Sequence, residues 1–303
     1  MTSFVSRLEH DLVVEATRQS HAVWSGGRSL DDRTAFTLEQ LDRAGPELLH
    51  FVGLVDESGL VASAKRYGML LAAPDGRALP AMGIGAVFTR EDARGRGHAA
   101  TMIREMLREA RAFGAAAAWL HAEIDPAYYA RLGFVELPGL SHRSTAAALP
   151  AEDPLEFRPA APDDIARMIG WYEAAFDRGW LRPARSHALW RYFTFRNGAR
   201  AWILSDAGAD LGYLCADGSN GALWVNEWSA PGVPRARILS TLRALAERDG
   251  LSEIAGWLRP DEATDVFQPA PRNSGVPMIA LLDGSWSALP APSKIHFGSF
   301  DYF

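Results

Sequence analysis

Arg94-Gly95-Arg96-Gly97-His98-Ala99 is the segment of this 303-residue chain whose residue types and spacing suit the binding of an anion. A helix that starts here leaves its first backbone N–H groups unpaired and carries a partial positive charge at that end, which together attract phosphate. Gly95 and Gly97 remove side chains from the approach, Arg94 and Arg96 add charge, and Ala99 leaves the first turn uncrowded. Several amides converging on one spot would make a diphosphate clamp. No Gly-Lys-Ser/Thr follows, so it is not a Walker loop, and the three-glycine spacing of a dinucleotide fingerprint is missing. An exposed arginine-rich turn is the alternative reading.

Such a loop needs a strand leading in and a helix leading out. Leu48–Val55, Leu60–Leu71 and Ala78–Thr89 are apolar runs separated by Asp56-Glu57-Ser58-Gly59 and Pro74-Asp75-Gly76, and they read as an antiparallel meander. After Thr89 the period changes: Ala99, Met102, Ile103, Met106, Leu107 and Ala110 recur at helical spacing, with Gly114 where the helix would stop. Two amphipathic helices, Asp11–Trp24 and Ser29–Ala44, precede the meander. A strand (Ala115–Ala122), a short helix around Ala127–Leu132 and a strand begun by Gly133-Phe134-Val135 follow the long helix.

Ser144–Pro154 has little periodicity and reads as a linker, giving expected domains of 1–148 and 149–303. Beyond it the element order repeats. Helices are predicted at Asp163–Phe176 and His187–Phe195, and strands at Ala201–Ser205, Asp210–Ala216 and Ala222–Trp228. A helix carrying Ile238, Leu239, Leu242, Leu245 and Ala246 follows, then a strand at Glu253–Leu258. An offset of about 136 residues pairs Met102 with Ile238, Ile103 with Leu239, Met106 with Leu242, Ala110 with Ala246 and Gly114 with Gly250. Each helix leads to a Trp-Leu pair, Trp119-Leu120 and Trp257-Leu258. The chain is therefore read as a duplicated α/β unit with mixed sheets.

Composition narrows the function. A formal charge of −6 disfavours nucleic acid and anionic lipid as main partners, and the single cysteine, Cys215, excludes an internal disulfide or a thiolate metal cage. No metal is expected. Charged residues interrupt the first 24 positions, so neither a signal segment nor a membrane span is read there, and the cytoplasm is the expected compartment.

In the order of its elements and in the loop at Arg94–Ala99, residues 1–145 resemble the GNAT acetyltransferase superfamily. Its acetyl-CoA signature, Arg/Gln-x-x-Gly-x-Gly/Ala, follows the fourth strand and opens a helix. The resemblance implies tandem GNAT domains, intact in the first half, distantly like the Eis aminoglycoside acetyltransferases. It implies that Val87, Phe88 and Thr89 bind the pantetheine arm of acetyl-CoA through their backbone. Arg94, Gly95, Arg96, Gly97, His98, Ala99 and Ala100 would then hold the pyrophosphate. The proline often found before the loop is absent, Thr89-Arg90-Glu91-Asp92-Ala93 standing there.

Tyr128-Tyr129-Ala130-Arg131-Leu132-Gly133-Phe134 is similar to the family's Phe-Tyr-x-x-x-Gly-Phe segment, which assigns Tyr129 by resemblance as the general acid for a departing thiolate. A base must relieve the acceptor amine of a proton. Glu123 and Asp125 are candidates from their place in the chain, and the C-terminal carboxylate of Phe303 is a third by analogy with Eis-like enzymes, although the chain lacks length for their third domain.

The matching loop of the second copy, Ala230-Pro231-Gly232-Val233-Pro234-Arg235, loses an amide at each proline and gains bulk at Val233, so that copy is expected to scaffold or to shape the acceptor site. Residues 1–60 hold ten carboxylates and five arginines, which favours a cationic amine acceptor or else is a solvated acidic face. An N-acetyltransferase acting on a primary amine by direct attack is the function expected, whether the acceptor is a small cationic amine, an aminoglycoside-like molecule or a peptide. A non-catalytic acyl-CoA sensor is the alternative.

Overall fold

The computed structural model describes residues 2–196, 200–219, 221–262, 265–284 and 289–302. The first half runs β1 (Ser3–Val5), α1 (His10–Trp24), α2 (Leu30–Ala44), β2 (Leu49–Asp56), β3 (Gly59–Ala72), β4 (Ala78–Thr89), α3 (His98–Ala112), β5 (Ala117–Ala122), α4 (Pro126–Ala130), β6 (Val135–Glu136) and β7 (Leu140–Thr145). The second runs β8 (Glu156–Pro159), α5 (Ile165–Ala174), β9 (Arg182–Ala184), α6 (His187–Arg196), β10 (Arg200–Asp206), β11 (Ala209–Ser219), β12 (Ala222–Ser229), α7 (Arg235–Arg248), β13 (Glu253–Gly256), β14 (Gln268–Pro271) and β15 (Val276–Leu281). No described helix is long and apolar enough to cross a membrane.

Each half builds a mixed sheet around the expected meander. In the first, β1 to β4 are antiparallel neighbours and β4 pairs in parallel with β5; in the second, β10 to β12 repeat the meander and β12 pairs in parallel with β13. The apolar stripes of the two long helices behave as their spacing predicts. Met102, Ile103, Met106 and Ala110 are buried against the first sheet, and Ile238, Leu239, Leu242 and Ala246 against the second. A third core joins the halves, because Tyr67, Trp119 and Ile279 of the first sheet share it with Trp190, Phe193, Ile203 and Tyr213.

The sheets exchange strands across the expected 148/149 boundary. From the second half, β15 enters the first sheet between β5 and β6, and β7 of the first half enters the second sheet between β13 and β14. The linker expected at Ser144–Pro154 thus begins inside a strand. Periodicity concealed β7 because its inward positions are polar: His142 and Ser144 are the buried residues of Leu140–Thr145, and the Ser144 hydroxyl donates to the Val266 carbonyl at 2.7 Å.

A chain of residues 1–148 would leave β5 with one edge bare and the side chains of Ala117–Ala122, all buried in the whole protein, uncovered along it. Bare apolar edges pair with other chains. Such a chain is expected to aggregate or to lack a cooperative thermal transition; a monomeric, cooperative melt would show that the halves fold independently.

Candidate active site

The site opens where β4 and β5 part. They pair only at Ala81–Gly83 with Ala117–Trp119, so the edge of β4 from Ile84 to Thr89 faces no strand among the described residues. A bulge drives the separation. The β3–β4 register shifts between Ser63 and Lys65, and opposite the shift Ala86 takes φ +48°, rare for a residue with a Cβ. Val87, Phe88 and Thr89 consequently line a cavity of about 940 Å³, joined by Leu120 and His121 of β5 and by Arg94 and Ala99. An extended polar ligand would find unpaired strand backbone along that edge.

At one end of the cavity, the start of α3 presents donors. No backbone amide from Gly95 to Ala100 donates a hydrogen bond among the described residues; the first amide of the region to do so is Thr101, to the Gly97 carbonyl at 3.0 Å. Gly97 is the N-cap, and no side chain caps the helix. Gly95 and Gly97 lie at φ +77° and +80°, and a Cβ built on either meets nothing within 4 Å. The glycines therefore set the left-handed backbone and keep open a space that no protein atom fills. No carboxylate lies in the first turn. Arg94 donates to the Thr89 carbonyl at 3.3 Å, which ties the loop to the end of β4.

Tyr129 reaches the same cavity from α4. The Asp125 carboxylate caps that helix, accepting from the Ala127 amide at 2.9 Å, and Pro126 pre-sets its first turn. Asp125 is thus a structural cap and does not line the cavity. The Tyr129 side chain is buried against Tyr128 and Phe134, and its hydroxyl has no hydrogen-bond partner among the described residues. Burial, with smaller contributions from Tyr128 and Glu123, pushes its pKa up to about 12, so the phenol is neutral and carries its proton at physiological pH.

Glu123 also lines the cavity, and its partners come from the far end of the chain. One carboxylate oxygen accepts from the Tyr302 hydroxyl at 2.5 Å and the other from the Ser274 hydroxyl. Tyr302 lines the cavity as well, its ring packed 5.5 Å from His121 and 5.7 Å from Trp257. The tail is anchored one residue earlier: Asp301, fully buried, takes two hydrogen bonds from Arg185 at 2.8 and 2.7 Å, and Arg185 also holds Glu227. Phe303, whose carboxylate the sequence offered as a base, lies outside the described residues. Ser274, Tyr302 and His121 escaped the sequence reading because no motif surrounds them; tertiary packing brings them together.

The acidic N-terminal region behaves as a solvated face. None of its ten carboxylates lines the cavity. What α1 and α2 do present to it includes Trp24, Arg33, Phe36, Thr37 and Gln40, and β3 adds Lys65, whose ammonium donates to Gln40 at 2.9 Å.

In the second copy the matching cleft is filled. Trp228, Trp257, Leu258, Arg259 and Glu262 leave a void of about 10 Å³, room for about one water. Val233 and Ala230 pack against the core, and Pro234 precedes α7. Aligning α7 and β13 on α3 and β5 places Trp257 at the position of His121, so the two Trp-Leu pairs are not equivalent; His121 and Trp257 instead stack on each other at 5.8 Å.

Residues 5–136 match the family model described as an acetyltransferase (GNAT) domain. No curated protein matches the chain. Among solved structures, a GCN5-related N-acetyltransferase from Kribbella flavida is 21% identical with a TM-score of 0.69, the match covering 94% of this chain and 72% of the other. A GCN5-related N-acetyltransferase from Anabaena variabilis is 14% identical with a TM-score of 0.71, over 94% and 74%. Eis1 from Mycobacterium abscessus is 16% identical with a TM-score of 0.62, also over 94% and 74%. At these identities the structural matches establish the shared fold.

Proposed function

We propose, from the premise that residues 5–136 are an acetyltransferase domain of the GNAT family, that this chain transfers an acetyl group from acetyl-CoA to a primary amine. The observation that carries the proposal is the run of six amides, Gly95 to Ala100, that donate no hydrogen bond among the described residues, at a helix start with no side-chain cap and with open space beside Gly95 and Gly97. These amides, with Arg94 and Arg96, bind the pyrophosphate. The free edge of β4 from Val87 to Thr89 takes the pantetheine arm, which points the thioester toward Tyr129 and Glu123.

When bound, acetyl-CoA supplies an activated acyl carbon. Glu123 takes a proton from the acceptor nitrogen, so that a neutral amine forms the new C–N bond. As the C–S bond breaks, Tyr129 would give its phenolic proton to the sulfur, and the phenolate so formed would take the remaining surplus proton of the nitrogen, restoring the phenol. The Tyr302 and Ser274 hydroxyls hold the Glu123 carboxylate in place for its part. Residues 1–148 hold the acetyl-transfer groups, while 149–303 act as scaffold and deliver the tail that orients Glu123.

Thermal unfolding with acetyl-CoA at about a hundred times its dissociation constant is expected to show roughly 2.7 kcal/mol of added stability. Release of free CoA thiol on adding amines should follow. No stabilisation would remove the cofactor assignment, and stabilisation without thiol release from any amine would leave an acyl-CoA sensor.

A further inference from the structure

We infer that the acceptor carries an anionic group at the end away from its amine, and that Arg33 receives it. The inference rests on the acetyl-transfer reading and gives it a substrate class. Arg33 lines the cavity from α2, and its Nε is buried with no hydrogen-bond partner among the described residues. No carboxylate pairs with its guanidinium there either, and its side chain makes no hydrogen bond or ion pair among the described residues. A half-buried cation without a counter-ion is costly, and burial followed by the nearby Arg28 charge depresses its pKa accordingly. Most arginines of this protein have a carboxylate partner, including Arg18 on α1, Arg43 on α2 and Arg66 on β3. Arg33 and Arg94 face the cavity instead, and of the two Arg94 is tied to the Thr89 carbonyl.

The rest of the lining agrees. Arg33, Lys65 and Arg94 are its cations, and Glu123 is its carboxylate among the described residues. Arg94 belongs to the proposed cofactor loop and Glu123 lines the cavity with Tyr129, so the wall made by α1 and α2 is aromatic and positive: Trp24, Phe36 and Arg33 all line it. An amine directed at Glu123 therefore extends past apolar rings toward a guanidinium that lacks a partner. A carboxylate or a phosphate on the acceptor would satisfy it with charge-assisted hydrogen bonds. A polycationic acceptor would bring like charge to the same place. The acidic count of residues 1–60 suggests the opposite preference, but those carboxylates are turned away from the cavity.

The test uses the full chain and three matched amines: meta-(aminomethyl)benzoate, benzylamine and meta-xylylenediamine, with an ω-amino carboxylate series and an ω-aminoalkyl phosphate series to separate the two kinds of anion. The wild type is expected to favour the acid-bearing amines in kcat/KM by roughly tenfold or more over the neutral one, with the diamine last. Arg33→Leu should bring the ratio toward one, and Arg33→Glu should invert it in favour of the diamine. Calorimetry of the acid-bearing amines with CoA-saturated protein provides a readout without turnover: binding that is lost in Arg33→Glu would support the anion site even if no acetyl transfer occurred, in which case the transfer reading alone would fall. A wild-type preference for the diamine, an order unchanged in Arg33→Glu, or a fall in acetyl-CoA affinity in the Arg33 variants would overturn the inference.

Discussion

Gly97→Val is expected to abolish acetyl-CoA binding, with the ligand-induced thermal shift lost and affinity down by more than a hundredfold. Two effects act together. At φ +80° a β-branched residue is strained, by about 1–3 kcal/mol, so the loop will relax toward a backbone that no longer aims its amides together. The new side chain also projects into space that contains no protein atom within 4 Å of its Cβ, which is where the phosphates would lie. A hydrogen bond to a charged group contributes about 1.5–3 kcal/mol, so losing two accounts for the fall. Gly232, at φ +83° in the second copy, supplies the control. Gly232→Val imposes comparable backbone strain on a loop that already has prolines and a valine, and it should lower the melting temperature while acetyl-CoA affinity stays as in the wild type. Equal losses of affinity in both variants would mean that strain, and not the cradle, explains the result.

Tyr129→Phe should lower kcat by roughly 10²–10⁴-fold, the range for a positioned general acid, and leave acetyl-CoA affinity nearly unchanged. Stability should change little, because the hydroxyl makes no hydrogen bond among the described residues and the ring contacts with Tyr128 and Phe134 survive. The pH profile adds an independent check. A general acid works in its protonated form and fails as pH rises through its pKa; burial disfavours the phenolate and pushes that pKa up to about 12. Wild-type kcat should therefore show no falling limb near pH 10, where an ordinary tyrosine would ionise. A limb near pH 9 that persists in Tyr129→Phe would assign the acid elsewhere.

The two halves repeat one strand order and put it to different use. In the first, the parting of β4 and β5 remains open and lined for a ligand; in the second, aromatic and charged side chains occupy the equivalent parting and leave about one water's volume. The second copy contributes by holding Asp301 through Arg185, and the next residue, Tyr302, then reaches Glu123 in the first. The strand exchange makes the same point at the level of folding, since neither sheet is complete without a strand of the other half.

What the sequence determined by itself was local. Apolar spacing placed α3 and α7 with their buried faces, turn residues delimited the meander, and the glycines at 95 and 97 marked a loop with no side chains at those two positions. Each of these depends on residues within one or two turns of each other, so the chain states them directly. Tertiary structure decided the rest. The pairing of β15 with β5 joins residues some 160 positions apart, and nothing in Val276–Leu281 specifies a partner edge. The bulge at Ala86, which opens the cleft, occurs at a residue with no φ preference of its own for that region. Charge was legible only as a sum: ten carboxylates in the first sixty residues said nothing of direction, and packing turned them to solvent while leaving Arg33 facing the cavity. Side-chain direction on a helix follows from which face is buried, and that is fixed by long-range packing.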